Sequence, residues 1–273
     1  MPRTEVGVIT SLTKDNDPFG HVAEFGLKTC HLCNWDPSIW TPKRAREIRK
    51  LSLTSGVRIA AVWTGYTGPK VWNFIEGPST LGLVPSKYRR KRVSELKLGA
   101  EFAAEVGAPA IITHAGFIPE NPSDRLYNPT VEALRDVAGR CLELGIGFWF
   151  ETGQETPTTL LRTIEDIGLD NLGINLDTAN CILYGKANPV DSLDVFGRYV
   201  RNLHAKDGFY PTDGRSLGKE APIGKGKVEW IDLFKRLRSL KFRGDVIIER
   251  EISGPQQAKD IRKAVTYLQS VMR

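Results

Sequence analysis

The chain has 273 residues, 41% hydrophobic and 26% charged, with a formal net charge of +6. A domain of this size buries roughly three quarters of its unfolded surface, so it needs neither disulfides nor a metal merely to fold. The composition excludes disordered and disulfide-framework classes, and no apolar run is long enough to span a bilayer. The modest basic surplus favours anionic partners without naming one.

Short apolar runs read as strands alternate with longer amphipathic stretches. The amino terminus, Met1 to Val6, lacks the apolar core of a signal peptide, and a reducing cytoplasm is the expected compartment. Val6–Thr10 is the first predicted strand and Lys28–Cys33 the second. Cys30 and Cys33 form a CxxC inside that second strand. No second pair completes a zinc site and no helix follows directly, so both read as structural. Thr41-Pro42 places an N-cap before a proline and opens a helix that Gly56 closes. Arg58–Trp63 is the third strand, followed by a long loop, Thr64–Ser86. Pro85-Ser86 then leads into a helix reaching Val106, with Gly107 as its stop. The densest basic cluster, Lys87-Tyr88-Arg89-Arg90-Lys91-Arg92, falls at that helix's start. A solvated helix start is preferred there over an anion or nucleic-acid patch.

Ala110–His114 is the fourth strand, and Pro129-Thr130 opens a helix ending at Gly145. Gly147–Glu151 is the fifth strand, and Pro157 opens a helix ended by Gly168. Leu172–Asp177 and Val200–Ala205 are the sixth and seventh strands. A second long loop, Lys206–Val228, precedes the eighth strand, Asp245–Glu249. Gly254-Pro255 opens the final helix.

Several strands are continuously apolar, as expected when both faces are buried in a parallel sheet. Strand-helix alternation carried eight times around points to a (β/α)8 TIM barrel, one domain over residues 1–273. The alternative, a doubly wound open sheet, usually shows a glycine-rich turn after an early strand, and no GxGxxG occurs here. Both long loops leave carboxyl ends of strands, the face where barrel active sites are built.

Polar residues close four of the apolar strands: Glu151, Asp177, His204 and Glu249. In a barrel these side chains converge on one mouth. Three carboxylates and one imidazole make a mostly hard donor set for one divalent ion, suiting Mn²⁺, Mg²⁺ or Co²⁺ better than a structural zinc.

The segments Glu151-Thr152-Gly153-Gln154-Glu155, Asn175-Leu176-Asp177-Thr178-Ala179-Asn180, Leu203-His204-Ala205-Lys206-Asp207-Gly208 and Ile248-Glu249 resemble the sugar phosphate isomerase/epimerase superfamily. That is the xylose isomerase-like barrel group. The resemblance follows strand order along essentially the whole chain, with the specific motifs in its second half. It implies that Glu151, Asp177, His204 and Glu249 are the metal ligands. It also implies that Glu151 and Glu249 double as the acid/base pair of an enediolate reaction on a small carbohydrate. Ketose 3-epimerases of that group generally carry a histidine three residues after the aspartate, where this chain has Asn180. Asparagine can hydrogen-bond a substrate oxygen but cannot become a cation.

Other residues near the expected mouth are candidates for substrate contact: His114, Glu155, Asn180 and Lys206, with Asp207 binding substrate or fixing its loop. Trp35, Trp40, Trp63, Trp72 and Phe74 stack on a sugar or cover the barrel end, cover being preferred. Gly224-Lys225-Gly226-Lys227 lacks P-loop spacing and reads as a mobile lid.

The leading function is therefore a metal-dependent sugar or sugar phosphate isomerase/epimerase. The alternative is a lyase or eliminase that expels a β-substituent from a 3-keto sugar or glycoside through the same enolate. An apurinic-site endonuclease, a relative of the group with a histidine-rich trinuclear zinc cluster, fits poorly, because the chain holds only His21, His31, His114 and His204. A binding barrel without catalysis is a further alternative. Neither nucleic acid nor membrane is an expected partner, and a homo-oligomer is left open.

Overall fold

Eight parallel strands close into a barrel in this computed structural model, which describes residues 4–272. Met1 to Arg3, part of the amino-terminal stretch read above, and Arg273 lie outside the described residues. The strands are β1 (Val6–Ser11), β2 (Thr29–Asn34), β3 (Arg58–Thr64), β4 (Ala110–Thr113), β5 (Gly147–Glu151), β6 (Leu172–Asp177) and β7 (Val200–Ala205). After β7 come β8 (Asp207–Phe209) and β9 (Lys219–Ala221), which pair with each other as a separate antiparallel hairpin. The eighth barrel strand, β10 (Val246–Ile248), then closes the ring between β7 and β1.

Period-two alternation sorts each strand's side chains between two environments. Val8, Leu32, Ile111, Phe148, Ile174, Leu203 and Ile248 belong to the main core. Ala61, Trp63 and Ile112 form a second cluster, joined by Cys33 and Trp149. The CxxC therefore divides between the two: Cys30 packs in the main core and Cys33 against the second cluster.

Helix signals match the chain where a cap is present. Thr41 accepts from Arg44 N and Gly56 ends that helix at φ 67°; Thr156 accepts from Thr159 N and Gly168 ends Pro157–Ile167 at φ 67°. One predicted start is late, since the helix expected from Pro129 runs Tyr127–Glu143. Four shorter helices supply crossovers that the sequence reading did not name: Phe19–Glu24, Thr178–Leu183, Pro189–Phe196 and Trp230–Ser239, although Asp177 and Asn188 cap two of them. Among the described residues no helix is long and apolar enough to cross a membrane.

The basic cluster is not simply a solvated helix start. Lys87, Arg90 and Lys91 are exposed, but Arg92 is fully buried. It donates to the carbonyls of Thr67, Pro69, Thr80 and Gly82 at 2.7–3.2 Å and lies over the Tyr66 ring. Arg89 donates to the carbonyls of Leu83 and Val84. Two of the cations thus fasten the long loop after β3. That loop also presses on the one after β4: Gly82, at φ +68°, leaves no room for a Cβ, which would meet Ala115 O at 1.9 Å.

The loop after β7 is pinned as well. The Asp207 carboxylate accepts from Gly208 N, Gly224 N, Val228 N and Trp230 Nε1 at 2.9–3.1 Å. Lys227 N donates to Gly208 O at 2.8 Å. The segment 224–227, expected to be a mobile lid, is the fastened base of this loop instead.

Candidate metal centre

Glu151 ends β5 and Asp177 ends β6, while His204 is the penultimate residue of β7. Glu249 follows β10 directly, one residue later than the sequence suggests, as His114 follows β4. Register places Asp177 beside His204 on neighbouring strands. One donor atom from each of Glu151, Asp177, His204 and Glu249 lies within 4.8 Å of all the others. His204 Nδ1 faces the carboxylates, 2.7 Å from Glu151 Oε1 and 3.3 Å from Glu249 Oε2. Trp63 Nε1 donates to Glu151 Oε2. Asp177 uses Oδ1 to cap the following helix at Asn180 N, 2.7 Å away.

Two oxygens of this cluster, Asp177 Oδ2 and Glu249 Oε2, are buried without a hydrogen-bond partner. Buried acceptors seldom go unpaired, and convergent orphan carboxylate oxygens beside an imidazole fit a divalent cation. The donor set thus suits the group that the sequence suggests.

The electrostatics follow from burying so many charges together. Burial, with Glu249 and Glu151 adding to it and Lys206 opposing, pushes the Asp177 carboxyl well above the usual carboxylate range. Burial acts the same way on Glu249, but Lys206 and His204 outweigh it and hold that carboxyl well below its ordinary value. For His204 burial disfavours the cation, yet Glu151 and Glu249 raise its pKa well above the usual range. Asp177 and His204 thus favour their protonated forms, and a metal at this centre would compete with those protons.

Above the cluster lies a cavity of about 330 Å³ whose lining includes Trp35, Trp63, Trp72, His114, Asn180 and Tyr184. The tryptophans form a wall, with Trp35 and Trp63 ring centroids 4.5 Å apart and Trp35 and Trp72 6.0 Å apart. Trp40 packs on Phe102 and Phe74 on Tyr184, and neither lines the cavity. His114 Nε2 sits 3.7 Å from Glu151 Oε2, and burial lowers its pKa.

Lys206 is buried beneath the cavity, its Nζ 2.8 Å from Glu251, 3.6 Å from Glu249, 3.8 Å from Asp177 and 3.4 Å from Asn180 Oδ1. Asp207 faces away and holds the loop. Glu155 is 5% exposed and not among the cavity's lining residues. Its Oε2 lacks a partner, and burial pushes its pKa up to about 8.

Sequence reading missed Tyr184, Lys70, Glu251 and His31. Lys70 and Glu251 line the cavity from loops, where no pattern marks them. His31 lies directly below His204. A signal for His31 existed: it stands two residues before Cys33, so both share one face of β2.

The profile of the family described as xylose isomerase-like TIM barrel matches residues 19–271. A solved xylose isomerase domain protein from Planctomyces limnophilus is 34% identical, superposes with a TM-score of 0.93, and covers 99% of this chain and 98% of its own. A D-tagatose 3-epimerase-like protein of known structure has 22% identity and a TM-score of 0.75, with 98% of each chain covered. An uncharacterised protein of Methanocaldococcus jannaschii is 25% identical over 197 residues, 68% of this chain and 65% of that relative's length.

Proposed function

The chain belongs to the xylose isomerase-like TIM barrel family, and on that premise we propose that it is a metal-dependent sugar isomerase or epimerase working through an enediolate. The observation that carries this reading is the convergence of Glu151, Asp177, His204 and Glu249 beneath a tryptophan-walled cavity. Those four would hold a divalent ion, which would supply Lewis acidity to a substrate carbonyl.

The chain's own groups do the rest. Glu151 ends β5 and Glu249 follows β10, with β6 and β7 between those strands, and on this reading they approach the reacting carbon from different sides. One takes the proton next to the carbonyl and the other returns it on the opposite face. Trp63 holds Glu151 in place for this, while Lys206 holds Glu249. Trp35 and Trp72 offer ring faces to the apolar side of a sugar. Asn180 and His114 bring neutral polar atoms to its hydroxyls, and the cavity suits a small ligand.

One observation favours a second reading. Asn180 lines the cavity where ketose 3-epimerases of the family generally carry histidine, which is compatible with elimination from a 3-keto sugar or glycoside. The deciding experiment incubates Mn²⁺-loaded protein in heavy water with free ketoses, ketose phosphates and 3-keto glycosides, read by NMR. A deuterated epimer or isomer that disappears with chelator is expected. Release of an aglycone, with no deuterated isomer or epimer from any sugar, replaces the proposal by elimination.

A further inference from the structure

We propose that the site takes a glycoside of two sugar units, the outer one uncharged, an inference that rests on the isomerase or epimerase reading above. A second cavity, of about 440 Å³, adjoins the tryptophan-walled one. The two share Ile9, Cys33, Glu249 and Glu251 as lining, so together they form one cleft that straddles Glu249. The first cavity is walled mainly by residues at or after the ends of β2, β3, β4 and β6. The second is built by the end of β1, the residues after β10 and the first turn of the final helix, Pro255–Val271. Pockets that hold small ligands span roughly 300–1,000 Å³. Either cavity is therefore room for one sugar ring, and a lone monosaccharide would leave the other to water.

The carboxylates decide which unit reacts. Glu151 and Glu249 both line the first cavity, but only Glu249 lines the second. The unit that passes a proton between the two glutamates thus lies against the tryptophans, and the outer unit extends past Glu249.

The second cavity has the chemistry to receive that outer unit. Thr10, Ser11, Asn16 and Gln257 give it neutral donors and acceptors, the groups that match sugar hydroxyls. Gln257 Nε2 is anchored on Arg250 O at 2.8 Å, while Gln257 Oε1 and Ser11 Oγ make no hydrogen bond to the protein among the described residues. The cations there already have partners. Arg250 pairs with Glu220 at 2.8 Å and with Asp260 at 2.9 Å, and His21 faces Glu24 at 4.0 Å. At the junction two carboxylates, Glu249 and Glu251, meet the single buried ammonium of Lys206 at 3.6 and 2.8 Å. A phosphate on the outer unit would find no unpaired cation and two nearby negative charges.

The test gives Mn²⁺-loaded full-length protein the methyl 3-keto-glucoside as a one-unit sugar. The two-unit sugars are trehalose, maltose and cellobiose with a 3-keto group on one ring, and the trehalose derivative is also made with a phosphate on its outer ring. Turnover is read by NMR in heavy water and dissociation constants by calorimetry. The best two-unit sugar should exceed the one-unit sugar by about 10-fold or more in kcat/KM, as two further hydrogen bonds allow, and the outer phosphate should cancel that advantage. Ser11→Phe and Gln257→Phe, which put a ring into the second cavity, should each bring the two-unit to one-unit ratio toward one. If one variant does not fold, the other decides. A native ratio near one, a ratio that survives the filling substitutions, or tighter binding of the phosphorylated sugar overturns the inference and leaves the isomerase or epimerase reading standing. If no probe turns over, that reading fails first, and the ratio of dissociation constants then decides the inference in the same way.

Discussion

Replacing Glu155 by glutamine should stabilise the protein in alkaline buffer and do little in acid. Glu155 is 5% exposed, one of its oxygens has no partner, and burial raises its carboxyl from an ordinary 4.5 to about 8. A carboxyl whose folded pKa is raised contributes stability that is fully present below its unfolded pKa. That stability is lost as pH climbs through the folded value, here between about 4.5 and about 8. Roughly three and a half pKa units correspond to about 5 kcal/mol at the alkaline end, an upper bound that relaxation and water entry cut to roughly 2–5 kcal/mol. Glutamine has the same shape and no charge to desolvate. It leaves a buried N–H unpaired much as the protonated acid leaves an O–H, so the two should match near pH 4.5. Urea unfolding of both forms in chelator, from pH 4.5 to 9, measures the difference. In thermal melts, at 2–4 °C per kcal/mol, the glutamine variant should unfold roughly 4–20 °C above the native chain at pH 9. A gap between the two that does not change with pH would refute the argument.

Three further outcomes are expected. Dialysis against chelator should leave a folded chain that takes back about one divalent ion by elemental analysis, because the core does not depend on the metal, whereas Asp177→Asn should not regain it. Glu151→Gln and Glu249→Gln, compared at equal metal occupancy, should each lose about 10²-fold or more in turnover, and full activity in either would move the acid/base pair elsewhere. Arg92→Leu should cost about 3 kcal/mol or more, since four loop carbonyls lose their donor, with Arg92→Lys intermediate in urea unfolding; a change under ~1 kcal/mol would discount this anchor.

The barrel was legible because strands buried on both faces leave long apolar runs, and because proline and glycine mark helices such as Pro42–Ser55 at both ends. The convergence of Glu151, Asp177, His204 and Glu249 was legible for the same reason: each is a polar break at the end of such a run. What stayed hidden depends on three-dimensional proximity. The helix Thr178–Leu183 is too short to show a period, and its cap, Asp177, had already been assigned another task. Arg92 looks like any member of a basic run until the loop after β3 brings carbonyls around it. Glu155 and Lys206 share the motif stretches with Glu151, Asp177 and His204, yet sequence spacing does not reveal that one lies off the cavity and the other beside Glu249 and Asp177.

The four donors gathered by Asp207 have a consequence for how this protein can change. Both ends of the segment that leaves β7 are tethered to one carboxylate, so the outer arc, largely exposed from Tyr210 to Ser216, should transmit little to the carboxylate–histidine cluster. Insertions there should be tolerated as they are at other exposed loop tips. Leu217, at the arc's inner end, still reaches the cavity rim. Evolution, or a designer, can therefore graft new arcs onto this tether and alter which molecules gain entry while leaving the chemistry untouched.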